Sequence, residues 1–188
     1  IYTLSLHAAL PICLPKGFDW GLERTKRHTI DCQRFIVTSH EGHVHRHLSD
    51  VGVIIAAADL SERARGWANA AFGAIADAEA KCHATTPEQV HFHEVGAIDA
   101  LVDICGACAL LDALDPDEIY ASPVAVGSGF VTCAHGRMPI PAPGTLRLLE
   151  GMPVSGQQLL GERPTPTGVA RSDERRGGKE VKPRLPPE

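Results

Sequence analysis

Between residues 64 and 82 the apolar positions return at threes and fours: Ala64, Trp67, Ala71, Ile75, Ala78 and Cys82 form one stripe. That period predicts an amphipathic helix. Asp59 with Glu62 three residues on resembles a capping box at its start, and Pro87 is a stop signal beyond an end near His83. A second helix is predicted from Ala97 to Leu114, an almost continuous apolar run that closes before Asp115-Pro116. Between the two, Val90-His91-Phe92-His93 alternates with a period of two. A short strand there would bury Val90 and Phe92 and turn both imidazoles to the other side.

The remaining segments are shorter. Phe18–Arg27 reads as a short amphipathic helix with Phe18, Leu22 and Trp20 toward its apolar side, and residues 30–38 as a strand alternating weakly through Phe35 and Val37. Residues 39–50 are too polar for a core and read as a loop. Residues 119–133, broken by Ser122-Pro123 and Gly127-Ser128-Gly129, read as two strand segments. The proline-dense stretch 134–143 is expected to be an extended loop, 145–150 a short helix that Gly151 closes, and 165–168 a tight turn. Strands alternating with helices give an α/β or α+β class, with a mixed sheet, packed helices and an incomplete domain.

The polar exceptions carry the chemistry. His40, His43, His45 and His47 fall within the 39–50 loop, which is either a solvated segment or a set of imidazoles able to fold round one cation. Imidazole suits nickel, zinc, copper and iron, and a flexible histidine loop suits capture and hand-off better than a closed structural zinc site. His91, His93 and Glu94 are either a polar strand end bonded to backbone or a mixed imidazole and carboxylate metal site. Gly96 permits a tight turn after them. Asp99 and Asp103 stand four apart, about 5–6 Å on one helix face. Carboxylates in an otherwise apolar helix point to a cleft, where they would bind the ion or orient a histidine. Gly127, Ser128 and Gly129, with His135 and Arg137 nearby, would let backbone amides and a cation approach a phosphate, although a plain bulge fits the glycines equally well. There is no GxxxxGK[ST] phosphate loop.

Charge and cysteines narrow the classes. The net charge is −5, and the last eighteen residues hold six basic and four acidic groups of the chain's 18 and 23, so the rest carries about −7. That argues against nucleic acid as a partner. No apolar run reaches the length of a membrane span. The six cysteines form no metal or disulfide framework and suggest reduced thiols of a cytoplasmic protein. Cys105 and Cys108, mid-helix in an apolar run, read as core rather than redox or zinc ligands. The two ends differ in character from the middle. Residues 1–12 and 171–181 resemble translated sequencing adapter, which divides the chain into an artefactual extension (1–12), a partial functional domain (13–170) and a disordered or artefactual tail (171–188). The apolar start lacks the basic n-region and initiator methionine of a signal peptide.

Three long motifs in order, VHFHEVGAIDALVDICGA, YASPVAVGSGFVTCAHGRMPIPAPGTLRLLEGMPV and TPTG, behind HVHRHLSD, resemble the LarC family, nickel insertion proteins of nickel pincer cofactor biosynthesis. The resemblance implies CTP-dependent insertion of Ni2+ into pyridinium-3,5-bisthiocarboxylic acid mononucleotide by a nickel chelatase of the lyase class. It also implies a lactate racemase-type enzyme as recipient of the cofactor, and is compatible with a homo-oligomer. The chain departs from the family pattern in lacking an N-terminal strand with a glycine-rich segment, in stopping before a C-terminal domain expected to hold the CTP site, and in having Gly144 where alanine is usual. On this reading His40, His43, His45 and His47 recruit the ion, while His91, His93 and Glu94 hold or pass it, supported by Asp99 and Asp103. Gly127, Ser128, Gly129 and Arg137 receive the substrate phosphate. Capture needs neutral imidazoles and is expected to weaken in acid. The rival readings are a non-catalytic nickel storage or chaperone protein and a metal-dependent hydrolase.

Overall fold

The computed structural model describes residues 18–40, 45–92, 96–121, 123–133 and 136–155. Two strands, β1 (Phe18–Arg27) and β2 (Ile30–Ser39), pair antiparallel from Phe18 opposite Ser39 to Arg27 opposite Ile30. His28, in the two-residue turn between them, takes a left-handed φ of 54°. The helix expected over Phe18–Arg27 is thus a strand. Phe18, Trp20 and Leu22 satisfy a period of two as well as an i,i+4 pair, and the full-length ladder offered by β2 decides between them. Trp20 stacks on Phe35 across the pair, centroids 5.9 Å apart.

Helix α1 (Leu48–Ala57) begins inside the polar segment that reads as a loop in the sequence and buries Val51 and Ile55, one turn apart, completely. Helix α2 (Glu62–His83) is the spine of the molecule. Its cap is Ser61, whose Oγ accepts the Ala64 N–H at 3.0 Å, and not Asp59, which lies two residues further out. It ends near His83 as expected, where Ala84 turns left-handed with φ 51°. Ala64, Ala68, Ala71, Phe72, Ile75 and Ala76 are all buried, a broader face than the single stripe, and Cys82 at the stripe's end is exposed. Small alanine side chains let α1 and α3 (Ile98–Leu114) approach α2 closely, and α3 spans the residues its apolar run predicts.

Leu101, Ile104, Cys105 and Cys108 of α3 close the core, with the Phe72 and Phe92 rings 6.2 Å apart beneath. The cysteines pack as core residues, and burial pushes the Cys108 thiol up to about 11, so it stays protonated. At the other end of these helices Arg63 reaches Asp112 at 2.5 Å and Asp115 at 2.7 Å, joining the start of α2 to the end of α3.

Short strands follow: β3 (Val124–Ala125), β4 (Phe130–Cys133), β5 (Gly136–Pro139) and β6 (Val154–Ser155). The two segments expected within 119–133 are β3 and β4. Part of the proline-rich loop is itself a strand, since β5 pairs antiparallel with β4 and Pro139 lies at its end, where a missing N–H costs least. Helix α4 (Pro143–Leu148) starts on its proline and packs on α2. A Cβ on Gly144 would stand 2.8 Å from Glu79 Oε1 of α2. β3 and β6 pair in parallel, so the described strands form three two-stranded pairs beside the helices, a mixed α/β fold. Among the described residues no helix is long and apolar enough to cross a membrane. Residues 1–12 and 165–188 lie outside the described residues.

Candidate functional site

Val90 and Phe92 are buried and His91 between them is exposed, as the alternation predicts. The stretch is held by one bridge rather than a full strand: the Phe92 N–H donates to the Arg46 carbonyl at 3.0 Å. This lays the end of the histidine loop alongside the central motif, and two histidines forty-four residues apart in sequence come together. The His47 and His91 rings lie with centroids 4.0 Å apart, inclined by 52°.

His47 is fixed from two directions. It is the N-cap of α1, its backbone N–H donating to the Asp50 carboxylate at 2.8 Å, and its ring Nδ1 lies 3.1 Å from the Val90 carbonyl. A carbonyl can only accept, so in this contact Nδ1 is the donor, and in the neutral ring Nε2 is left with the lone pair. That tautomer presents Nε2 to a metal, and the backbone contact is of the kind that orients ligating imidazoles. His91 offers a second ring beside it, and His45 is exposed one residue before the bridge.

The turn below the pair is tightly packed. Arg46 is only 7% exposed, and its Nη1 donates to the Gly96 carbonyl at 2.5 Å. A Cβ on Gly96 would lie 2.8 Å from the Phe92 carbonyl oxygen and 3.3 Å from the Arg46 Cβ. Close backbone approach therefore requires glycine here, in addition to the turn the sequence suggests.

The other candidate residues take different places. His40, at the end of β2, bonds Asp19 through Nε2 at 2.8 Å on the exposed hairpin. His43, His93 and Glu94 lie outside the described residues, and no three His, Cys, Asp or Glu side chains among the described residues converge on a metal position. Asp99 is half-buried in the first turn of α3, where the helix end favours a carboxylate, and its Oδ1 accepts the Ala100 N–H at 3.0 Å. Asp103 follows one turn on, also half-buried.

Gly127, Ser128 and Gly129 lead into β4. Gly129 has φ 109° and its carbonyl accepts the Ile140 N–H at 3.0 Å. Across the hairpin the Arg137 guanidinium lies 4.1 Å from the centre of the Phe130 ring, so the glycine turn and the cation share one exposed hairpin. An exposed arginine beside backbone amides and a hydroxyl can receive an anion. Sequence reasoning missed Arg46 and Phe130. Arginine is rarely buried, and nothing in the residue order signals that this one is.

The model of a family described as nickel insertion protein matches residues 4–175. The chain is 46% identical over 154 residues to a putative nickel insertion protein of Geobacter metallireducens, covering 82% of this chain and 40% of that protein. It is 51% identical over 130 residues to a Desulfitobacterium hafniense protein named pyridinium-3,5-bisthiocarboxylic acid mononucleotide nickel insertion protein, covering 69% of this chain and 32% of the relative. A putative nickel insertion protein of Myxococcus xanthus is 44% identical over 173 residues, 90% of this chain and 44% of its own length. The chain thus spans well under half the length of these relatives. No solved structure matches it.

Proposed function

Because the chain belongs to the nickel insertion protein family, LarC, we propose that it is the nickel-handling part of an enzyme that inserts Ni2+ into pyridinium-3,5-bisthiocarboxylic acid mononucleotide, the compound in the name of the Desulfitobacterium relative. The observation that carries this reading is the meeting of His47 and His91, rings 4.0 Å apart, with Nδ1 of His47 committed to the Val90 carbonyl. Two neutral imidazoles bind a divalent ion without enclosing it, which suits an ion that must leave again for sulfur donors on a substrate. His40, His43 and His45 serve recruitment in this scheme, and His93 and Glu94 share the holding role by their place in the motif. Asp99 and Asp103 supply negative charge at the start of α3, and the Gly127–Gly129 turn with Arg137 receives the phosphate of the mononucleotide. CTP dependence, lyase-class chelatase chemistry, a cytoplasmic setting and supply of cofactor to a lactate racemase-type enzyme complete the proposal for the whole protein, and rest on the family resemblance.

The test is equilibrium nickel binding to the full chain, with zinc and cobalt in competition, alongside the double variant His47→Ala/His91→Ala. Nickel binding that falls at least tenfold in the folded double variant is the expected result. A folded wild-type chain that takes up no nickel, or a double variant that binds as well as the parent, overturns the assignment.

A further inference from the structure

We infer that Arg46 is a positioning residue that sets the spacing of His47 and His91 for nickel; the inference rests on the nickel reading above. Arg46 lies next to His47 and is the one buried charged side chain of the described residues. Removing a guanidinium from water is costly unless its donors are used, so its burial calls for a reason. Its atoms meet the central motif at Phe92 and at Gly96. Its backbone carbonyl accepts the Phe92 N–H at 3.0 Å, and its Nη1 donates to the Gly96 carbonyl at 2.5 Å. The following residue then bonds Val90 through its ring at 3.1 Å. Residues 46 and 47 together therefore grip the motif at 90, 92 and 96.

The fit depends on both partners. Gly96 comes close because it has no Cβ; one added there would lie 3.3 Å from the Arg46 Cβ and 2.8 Å from the Phe92 carbonyl oxygen. Arginine has the reach and a charge-assisted donor on a planar group whose orientation is set in advance, whereas lysine offers a flexible point charge. The two ring centres, 4.0 Å apart, stand side by side at this corner before any ion arrives. Arg46 thus acts through the histidines and does not itself touch the ion.

The experiment compares Arg46→Met, Arg46→Lys and His47→Ala in the full chain. Each is measured for thermal unfolding, for nickel affinity, and for the visible spectrum of bound Co2+, which reports coordination geometry independently of stability. Arg46→Met is expected to fold, to bind nickel about tenfold more weakly and to shift the cobalt bands, with Arg46→Lys falling between it and the parent. Parental affinity and cobalt bands in a folded Arg46→Met, alongside weakened binding in His47→Ala, overturn the inference and leave the nickel reading standing. Unchanged binding in His47→Ala as well overturns both. Should Arg46→Met fail to fold, Arg46→Lys decides: intermediate affinity with shifted bands supports the role, and parental values refute it.

Discussion

The corner where His47 meets His91 and the hairpin that carries Arg137 are built on different terms. Beneath the corner Val90 and Phe92 are sunk in the helical core, and the backbone of 46 is bonded to that of 92. The hairpin of β4 and β5 has Phe130 61% exposed, with Arg137 lying over its ring. Metal ligation depends on direction within fractions of an ångström, so its donors need a rigid base. Attraction between a guanidinium and a phosphate is far more tolerant of position. On the roles proposed for the two regions, the difference teaches that anchorage follows the geometric demand of each task.

On that distinction, damage to the packed base of the corner reaches stability and metal together, whereas damage at the hairpin spares both. The largest effect is expected from Gly96→Ala, which drives a methyl against the Phe92 carbonyl oxygen. A loss of about 2 kcal/mol is expected from such overpacking, read by urea unfolding, together with weaker nickel binding. A smaller change, confined to affinity, is expected from His91→Ala: this exposed ring contributes little to the core, so unfolding should stay within about 0.5 kcal/mol of the parent while nickel binding drops severalfold. Arg137→Ala should leave nickel binding and unfolding unchanged but weaken binding of a nucleoside monophosphate probe, by about tenfold for one charge-assisted contact; equal binding would remove Arg137 from the phosphate role.

The smallest effect lies at the far end of the helices and sharpens the comparison by its remoteness from both sites. Hydrogen bonding from Ser61 first, and Arg63 second, holds the Asp112 carboxyl below its ordinary value. A carboxyl depressed in the folded state contributes stability above its unfolded pKa of about 3.9, and that contribution is lost as pH falls through the lower folded value. Asp112→Asn should therefore flatten the acid limb of the stability curve below about pH 4, with no change in nickel binding at neutral pH.

Much of this could be read from residue order because it depends on near neighbours. The stripe of α2, the apolar run of α3 and the burial of Val90 and Phe92 are local periodicities, and Cys105 and Cys108 inherit their burial from the helix around them. Where reading failed, a distant partner decided. Phe18–Arg27 fits a helix until β2 supplies a ladder, and β5 is a strand only because β4 lies opposite. Ser61 and Asp59 both have the chemistry of a cap, and the choice depended on where α2 begins. At the site, the residue types and the two clusters were visible in the sequence. The pairing of His47 with His91 and the burial of Arg46 were not, since each depends on segments more than forty residues apart.

The protonated thiol of Cys108 bears on the metal traffic proposed for this molecule. Thiolates are strong competitors for such an ion, but a sulfur that ionises only near pH 11 inside the core offers none at neutral pH. On the proposed reading, an ion resting on the imidazoles of the corner meets no ionised Cys108 sulfur, and Cys105 is buried alongside. If the proposed substrate is correct, the sulfur it brings lies downhill of the nitrogens, and delivery and retention become separate steps in which the protein's own buried cysteines take no share.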